Sequence, residues 1–217
     1  MLKKITMTNW EKDTSVLPFV EIVPFNNVPN EIIYFLKKQI EIKNKLLTKA
    51  NNDLAGHLQE EYYTNEIPTF FNNYILNCIA NNNMLRDICN RKCFLSRSVT
   101  MKLNSIWINF QKKYEFNPVH DHSGIFSFII FMQVPYKLEN EDKIFENVQK
   151  KDSFTSRLSF LTLGPDGEIR ENRCNVDQSY VHKMLIFDAK TKHMVYPFYT
   201  SNDYRITVSG NIVYNVD

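Results

Sequence analysis

A chain of 217 residues that is 43% hydrophobic and 23% charged suits a single globular domain, and it is too apolar for intrinsic disorder. A formal net charge of +2 offers no strong field to nucleic acid or to an anionic membrane, so neither is an expected partner. The five glycines (Gly56, Gly124, Gly164, Gly167 and Gly210) make neither a GxGxxG nor a GxxxxGK[ST] pattern, which excludes a Rossmann fingerprint and a P-loop.

The longest apolar run, Phe126 to Val134, is broken by Ser127 and Gln133. It falls short of the about 20 residues that a membrane helix requires. The opening MLKKITMTNWEKD has no apolar h-region. The expectation is one domain over residues 1–217, cytoplasmic, with a mainly helical part over about 1–93 and a β-rich core over about 94–217. Cys78, Cys89, Cys93 and Cys174 contain no CxxC pair and are expected as reduced, mostly buried thiols.

In chain order, Ser15 to Phe25 holds two prolines and alternating Val and Ile, the pattern of an edge strand. Asn30 is placed to cap a helix whose face carries Ile32, Ile33, Leu36, Ile40 and Leu47 and which fades near Asn51-Asn52. A second helix is predicted from Glu66 to about Arg91, with Pro68 in its first turn and Phe70, Phe71, Tyr74, Ile75, Cys78 and Ile79 inward. Beyond Phe94 the pattern turns to short strands near 98–110, 124–134, 155–163, 184–189, 194–198 and 204–214. Gly164-Pro165-Asp166-Gly167 marks a turn, and the polar stretch from Lys137 to Asp152 reads as a lid-like excursion. Helices followed by strands predict an α+β fold, a jelly-roll double sheet with the N-terminal helices packed on one sheet.

Two of five histidines, His120 and His122, precede the most apolar strand. On an extended chain residues two apart face the same side, so both rings converge while Asp121 turns away. Such a pair is a two-ligand arm for a first-row metal, and His193 is the best third ligand. Further on, Arg205, Thr207 and Ser209 share one strand face, opposite Tyr204, Ile206 and Val208. A guanidinium aimed into an apolar sheet needs an anionic partner, and its planar fork fits a carboxylate. His57 and His182 have no spacing relation to the arm, and Trp107 reads as core.

A metal arm, a distal histidine and then an arginine with a hydroxyl two residues on: this order resembles the 2-oxoglutarate/Fe(II)-dependent dioxygenase superfamily. Within it, four stretches are similar to a group of oxygenase sequences of marine phages and bacteria. They are Trp107-Ile-Asn109-Phe-Gln111, Phe116-Asn117-Pro118-Val-His120-Asp-His122-Ser-Gly124, His193-Met-Val-Tyr-Pro197-Phe and Tyr204-Arg205-Ile-Thr207-Val-Ser209-Gly210-Asn211. Leu54-Ala-Gly56-His57-Leu-Gln-Glu60-Glu61-Tyr62 is similar too, so the likeness runs from about residue 50 to the end.

The resemblance implies a double-stranded β-helix core with Fe(II) at one mouth and 2-oxoglutarate as co-substrate. O2 and a primary substrate, a small molecule or a peptide, would complete the reaction. His120 takes the first ligand position and His193 the distal one. The middle position, usually a carboxylate in the superfamily, is His122, although a kink at Pro118 would rotate Asp121 inward instead. The C1 carboxylate and C2 keto oxygen of 2-oxoglutarate would chelate the metal, and Arg205 with Thr207 would hold its C5 carboxylate. Asn109 and Tyr114 are candidate contacts to co-substrate or substrate. The implied reaction is hydroxylation of a C–H bond with release of succinate and CO2. Two other readings stand beside it: a three-histidine dioxygenase of the cupin kind that needs no 2-oxoglutarate, and a non-catalytic jelly-roll structural protein.

Overall fold

A computed structural model of the chain describes residues 21–92, 100–145 and 153–215. The period-two segments pair into two sheets in which every pairing is antiparallel. The larger has seven strands, in the order β1 (Ile22–Phe25), β9 (Met184–Asp188), β6 (Phe126–Gln133), β11 (Arg205–Asn215), β4 (Thr100–Gln111), β3 (Glu60–Tyr63) and β2 (Thr48–Lys49). The smaller has four, in the order β5 (Asn117–His120), β10 (Lys192–Val195), β7 (Leu158–Leu163) and β8 (Ile169–Cys174).

Helices α1 (Asn30–Leu46), α2 (Thr69–Ala80) and α3 (Asn83–Lys92) cover the outer face of the large sheet. There Ile108 and Phe110 of β4, Phe128 and Ile130 of β6, and Ile206 and Val208 of β11 meet Leu36, Phe71, Ile75, Leu85 and Ile88. Each such side chain contributes about 1.5–3 kcal/mol on burial. A second core lies between the sheets, where Ile129, Phe131, Leu185 and Phe187 pack on Leu158, Phe160, Cys174 and Phe198. β6 is therefore buried on both faces, which is why it reads as a continuous apolar run rather than an alternating one. Gly124, at φ 104°, starts this strand where a Cβ would come within 2.6 Å of the Ile212 carbonyl oxygen.

Several boundaries differ from the sequence reading. Asn30 is the first helical residue rather than the cap: the Pro29 carbonyl accepts the N–H groups of Ile32 and Ile33. α1 stops at Leu46, and the next residues pair as β2. The single helix expected from Glu66 to Arg91 is two. Asn81 closes α2 with its N–H on the Asn77 carbonyl, and the Asn82 side chain accepts the Leu85 N–H to start α3. Of the expected edge strand Ser15–Phe25, Ile22–Phe25 pairs with β9, and residues 15–20 lie outside the described residues.

The start of the Lys137–Asp152 excursion is a docked turn of helix, α4 (Leu138–Glu141), and residues 146–152 lie outside the described residues. Cys78 and Cys89 are half-buried and Cys174 is fully buried, with no disulfide among the described residues, whereas Cys93 lies outside them. Among the described residues, no helix is long and apolar enough to cross a membrane.

Candidate metal centre

The β5–β10 pairing sets His193 directly opposite His120. His122 follows two residues beyond the first, its N–H on the Ala189 carbonyl at 2.8 Å and its ring 5.4 Å from that of Trp107. The ring centroids of the three histidines are 4.2 to 5.0 Å apart, and one nitrogen from each lies within 4.8 Å of the other two. Nδ1 of His120 donates to the Pro118 carbonyl at 2.7 Å, and Nδ1 of His193 to the Thr191 carbonyl at 2.9 Å. A carbonyl can only accept, so both Nε2 atoms carry their lone pairs inward. Asp121 faces the other way, 2.6 Å from Lys192 and 3.6 Å from Lys190.

Burial is the main cause that keeps all three rings neutral. It lowers the pKa of His120, and it takes His122 to about 4 and His193 to about 3, with the neighbouring rings adding mutual repulsion in the last two. The rings of Phe160 and Phe187, 5.7 and 5.0 Å away, wall His193 off from water. Three neutral imidazoles with free lone pairs fit Fe(II), and equally other borderline divalent ions such as Zn(II). They have no proton to expel at neutral pH.

Beside them opens a cavity of about 480 Å³ including its mouth, lined by all three histidines and by Leu58, Trp107, Asn109, Gln111, Asn117, Arg205, Thr207 and Ser209. The strand alternation brings Arg205, Thr207 and Ser209 to this face while Ile206 and Val208 enter the outer core. Arg205 is 2% exposed. One of its nitrogens, Nη1, donates to the Ser156 carbonyl at 3.1 Å, and its Nε has no partner. Among the described residues no carboxylate pairs with it. An uncompensated buried guanidinium is unfavourable, and a dianionic ligand in the cavity would offset it. Asn109 donates from Nδ2 to the Thr207 hydroxyl at 3.2 Å, and its Oδ1 is buried without a partner.

Tyr114 does not join this group. It is 61% exposed in a left-handed turn at φ 72°, outside the cavity lining, and its ring packs edge-on against Tyr199 at 5.5 Å. The His57 ring lies tilted against that of Phe116 at 4.7 Å, and His182 turns the chain at φ 66°; neither lines the cavity. Gln111, Asn117 and Leu58 line the cavity without having been singled out as contacts. The first was within reach of alternation, since it lies two residues beyond Asn109, as Asn109 does beyond Trp107.

No family model matches the chain, and no curated protein matches it. Among solved structures it is similar to a prolyl-4-hydroxylase of Pseudomonas putida at 11% identity, over 90% of this chain and 94% of that one, with a TM-score of 0.50. It is also similar to a prolyl hydroxylase of Trichoplax adhaerens, solved in complex with a hypoxia inducible factor oxygen degradation domain peptide fragment. That match has 11% identity over 89% of this chain and 83% of that one, with a TM-score of 0.51. A third match is an oxidoreductase of the 2OG-Fe(II) oxygenase family from Burkholderia pseudomallei, at 11% identity over 89% and 85% of the two chains, with a TM-score of 0.43. The first two likenesses place the chain in the fold seen in prolyl hydroxylases.

Proposed function

We propose that this chain is a 2-oxoglutarate- and Fe(II)-dependent oxygenase that hydroxylates a C–H bond of a small-molecule or peptide substrate. Its two sheets would form the double-stranded β-helix of that superfamily. The observation that carries the reading is the joint presence of three converging imidazoles and a buried arginine without a carboxylate partner in one cavity. The prolyl hydroxylase fold supports it.

His120, His122 and His193 would hold Fe(II). When bound, the metal and 2-oxoglutarate would couple oxidative decarboxylation to substrate hydroxylation, with release of succinate and CO2. The chain's own residues prepare for this. The carbonyls of Pro118 and Thr191 lock two imidazoles in the tautomer that presents Nε2, so ligand geometry is set before any ion arrives. Arg205, steadied by Ser156, would bind the far carboxylate of the co-substrate, with Thr207 as a second donor. Asn109 holds the Thr207 hydroxyl in place through its amide. Phe160, Phe187 and Leu158 keep competing water from the histidines and strengthen every electrostatic contact inside. Three neutral ligands leave the full charge of a divalent ion, which favours a dianionic co-substrate.

The decisive experiment is succinate release from 2-oxoglutarate by iron-loaded protein, with His193→Ala as control. Turnover, even uncoupled and slow, that His193→Ala abolishes supports the reading. Stoichiometric iron binding without 2-oxoglutarate consumption would favour a second one, a three-histidine dioxygenase of the cupin kind. The all-imidazole donor set speaks for that alternative, and the unpaired Arg205 against it. A protein that binds no divalent metal would be a non-catalytic jelly roll.

A further inference from the structure

Two carboxyl groups are fully buried among the described residues, in opposite circumstances. Glu141 accepts the N–H groups of Tyr199 and Thr200 and the Thr200 hydroxyl at 2.5–3.1 Å. Glu61 is 0% exposed, and neither of its oxygens has a hydrogen-bond partner. Buried acceptors without donors are rare in folded proteins and call for a reason.

The strand register says where Glu61 stands. β3 places it beside Asn109 of β4, and β11 places Thr207 on the other side of Asn109, so the three form one row on the inner face of the large sheet. Asn109 and Thr207 line the cavity, and Glu61 stands next to them at its edge. Such cross-strand neighbours have Cβ atoms about 4.5–5.5 Å apart. The amide nitrogen of Asn109 is committed to Thr207, and its oxygen, like both oxygens of Glu61, lacks a donor. From the other side the carboxyl is covered by Gly56, where a Cβ would lie 2.6 Å from Oε1; two residues on, Leu58 lines the cavity. Among the described residues no lysine or arginine pairs with Glu61. Its pKa is raised to about 7, by burial and then by repulsion from Glu115.

Resting on the oxygenase reading above, we propose that Glu61 and Asn109 are the recognition point for a positively charged nitrogen of the primary substrate, an alkylammonium or guanidinium group. Its N–H bonds would supply the donors that both residues lack, and its charge would stabilise the carboxylate. The cavity face then sorts the two ligands by sign. Arg205, two residues before Thr207 on β11, attracts the anionic co-substrate, and Glu61, ionised as the cation binds, attracts the substrate nitrogen.

The test uses the zinc- and 2-oxoglutarate-loaded protein, diamagnetic and inert, titrated with the N-acetyl amides of lysine and arginine. The probes of charge are their neutral counterparts, the N-acetyl amides of norleucine and citrulline. Two-dimensional NMR reads the Asn109 side-chain amide and the Gly56 N–H. At least one cation is expected to shift both signals in a saturable way, neither neutral compound should do so, and Glu61→Gln should weaken the cation at least ten-fold with zinc and 2-oxoglutarate still bound. Equal binding of neutral and charged probes, no binding of either cation, or an unchanged affinity in Glu61→Gln would overturn the proposal. If Glu61→Gln does not fold, the contrast between charged and neutral probes on the parent protein decides. The zinc and 2-oxoglutarate titrations of the same sample judge the oxygenase reading separately.

Discussion

The two faces of the large sheet are made by the same strands and carry opposite chemistry. On the outer face β4 and β11 set Ile106, Ile108, Phe110, Ile206 and Val208 against three helices, a closed apolar layer. On the inner face, one residue out of step, they set Trp107, Asn109, Gln111, Arg205, Thr207 and Ser209 around a cavity. Burial is nearly as complete on both sides, yet the inner polar groups are only partly satisfied: Arg205 Nε and Asn109 Oδ1 have no partner. The outer face is a closed apolar layer that stabilises the fold, whereas the inner face leaves buried polar groups with unmet hydrogen bonds, which under the proposed function the ligands would supply. The contrast teaches that burial alone does not identify a core; the chemistry of the buried atoms does.

Substitutions can break this comparison. The largest effect should come from the outer face, where Phe128→Ala removes a fully buried ring and is expected to cost about 3–5 kcal/mol in denaturant unfolding. Its folded fraction should bind 2-oxoglutarate normally. Arg205→Met should do the reverse. Calorimetry of the metal-loaded variant is expected to show 2-oxoglutarate binding weakened by about 2–5 kcal/mol. The ligand-free protein should melt higher than the parent, because a buried charge without a counter-ion is gone. A lower melting temperature for Arg205→Met would contradict the division of labour between the faces.

Protons sharpen the contrast further. In the metal-free fold His122 and His193 stay neutral down to about pH 4 and 3, while the unfolded chain takes up protons near 6.5, so they make stability fall as pH drops below 6.5. Glu61 acts in the opposite sense. Raised from 4.5 to about 7, it stays protonated in the fold where the unfolded chain is ionised, so its contribution declines as pH climbs from 4.5 to 7. Glu61→Gln should therefore raise the melting temperature, relative to the parent, more at pH 8 than at pH 5. Scanning calorimetry at both values checks it.

The smallest effect is expected at Asp121, whose contacts are two largely exposed lysines. Asp121→Asn should cost less than about 1 kcal/mol of stability. Metal affinity, read by zinc titration, should barely change, whereas a ligand role for Asp121 in place of His122 would make the loss large.

How much of this was legible in the sequence depends on how local the signal was. The cavity face of β11 follows from two-residue periodicity, so Arg205 and Thr207 could be placed before any pairing was known. The convergence of His120 and His122 is similarly local. Other features depend on distant partners. β8, Ile-Arg-Glu-Asn-Arg-Cys, is a strand because β7 pairs with it along its whole length, though its middle is polar, as befits an edge. The break between α2 and α3 is visible in the run Asn81-Asn82-Asn83, since asparagine ends and caps helices, a local signal outweighed by reading one helix through to about Arg91. Tyr114 was drawn toward the site by its closeness in sequence to the metal arm; a left-handed turn sends it outward. Glu61 looks like one of two surface acids, and only its pairing beside Asn109 reveals a carboxyl held in the dry interior.

The hydrogen bonds from Nδ1 of His120 and His193 have a consequence for engineering. Each ring is steered by the carbonyl two residues upstream, Pro118 within β5 and Thr191 just before β10. The aim of each Nε2 atom is thus written into a tripeptide, without the long-range supporting carboxylate that often orients a metal-binding imidazole. A pair of such tripeptides, grafted in register onto neighbouring antiparallel strands of an unrelated barrel, would carry two pre-aimed imidazoles with them. That makes the arrangement a transferable part for building metal sites from scratch.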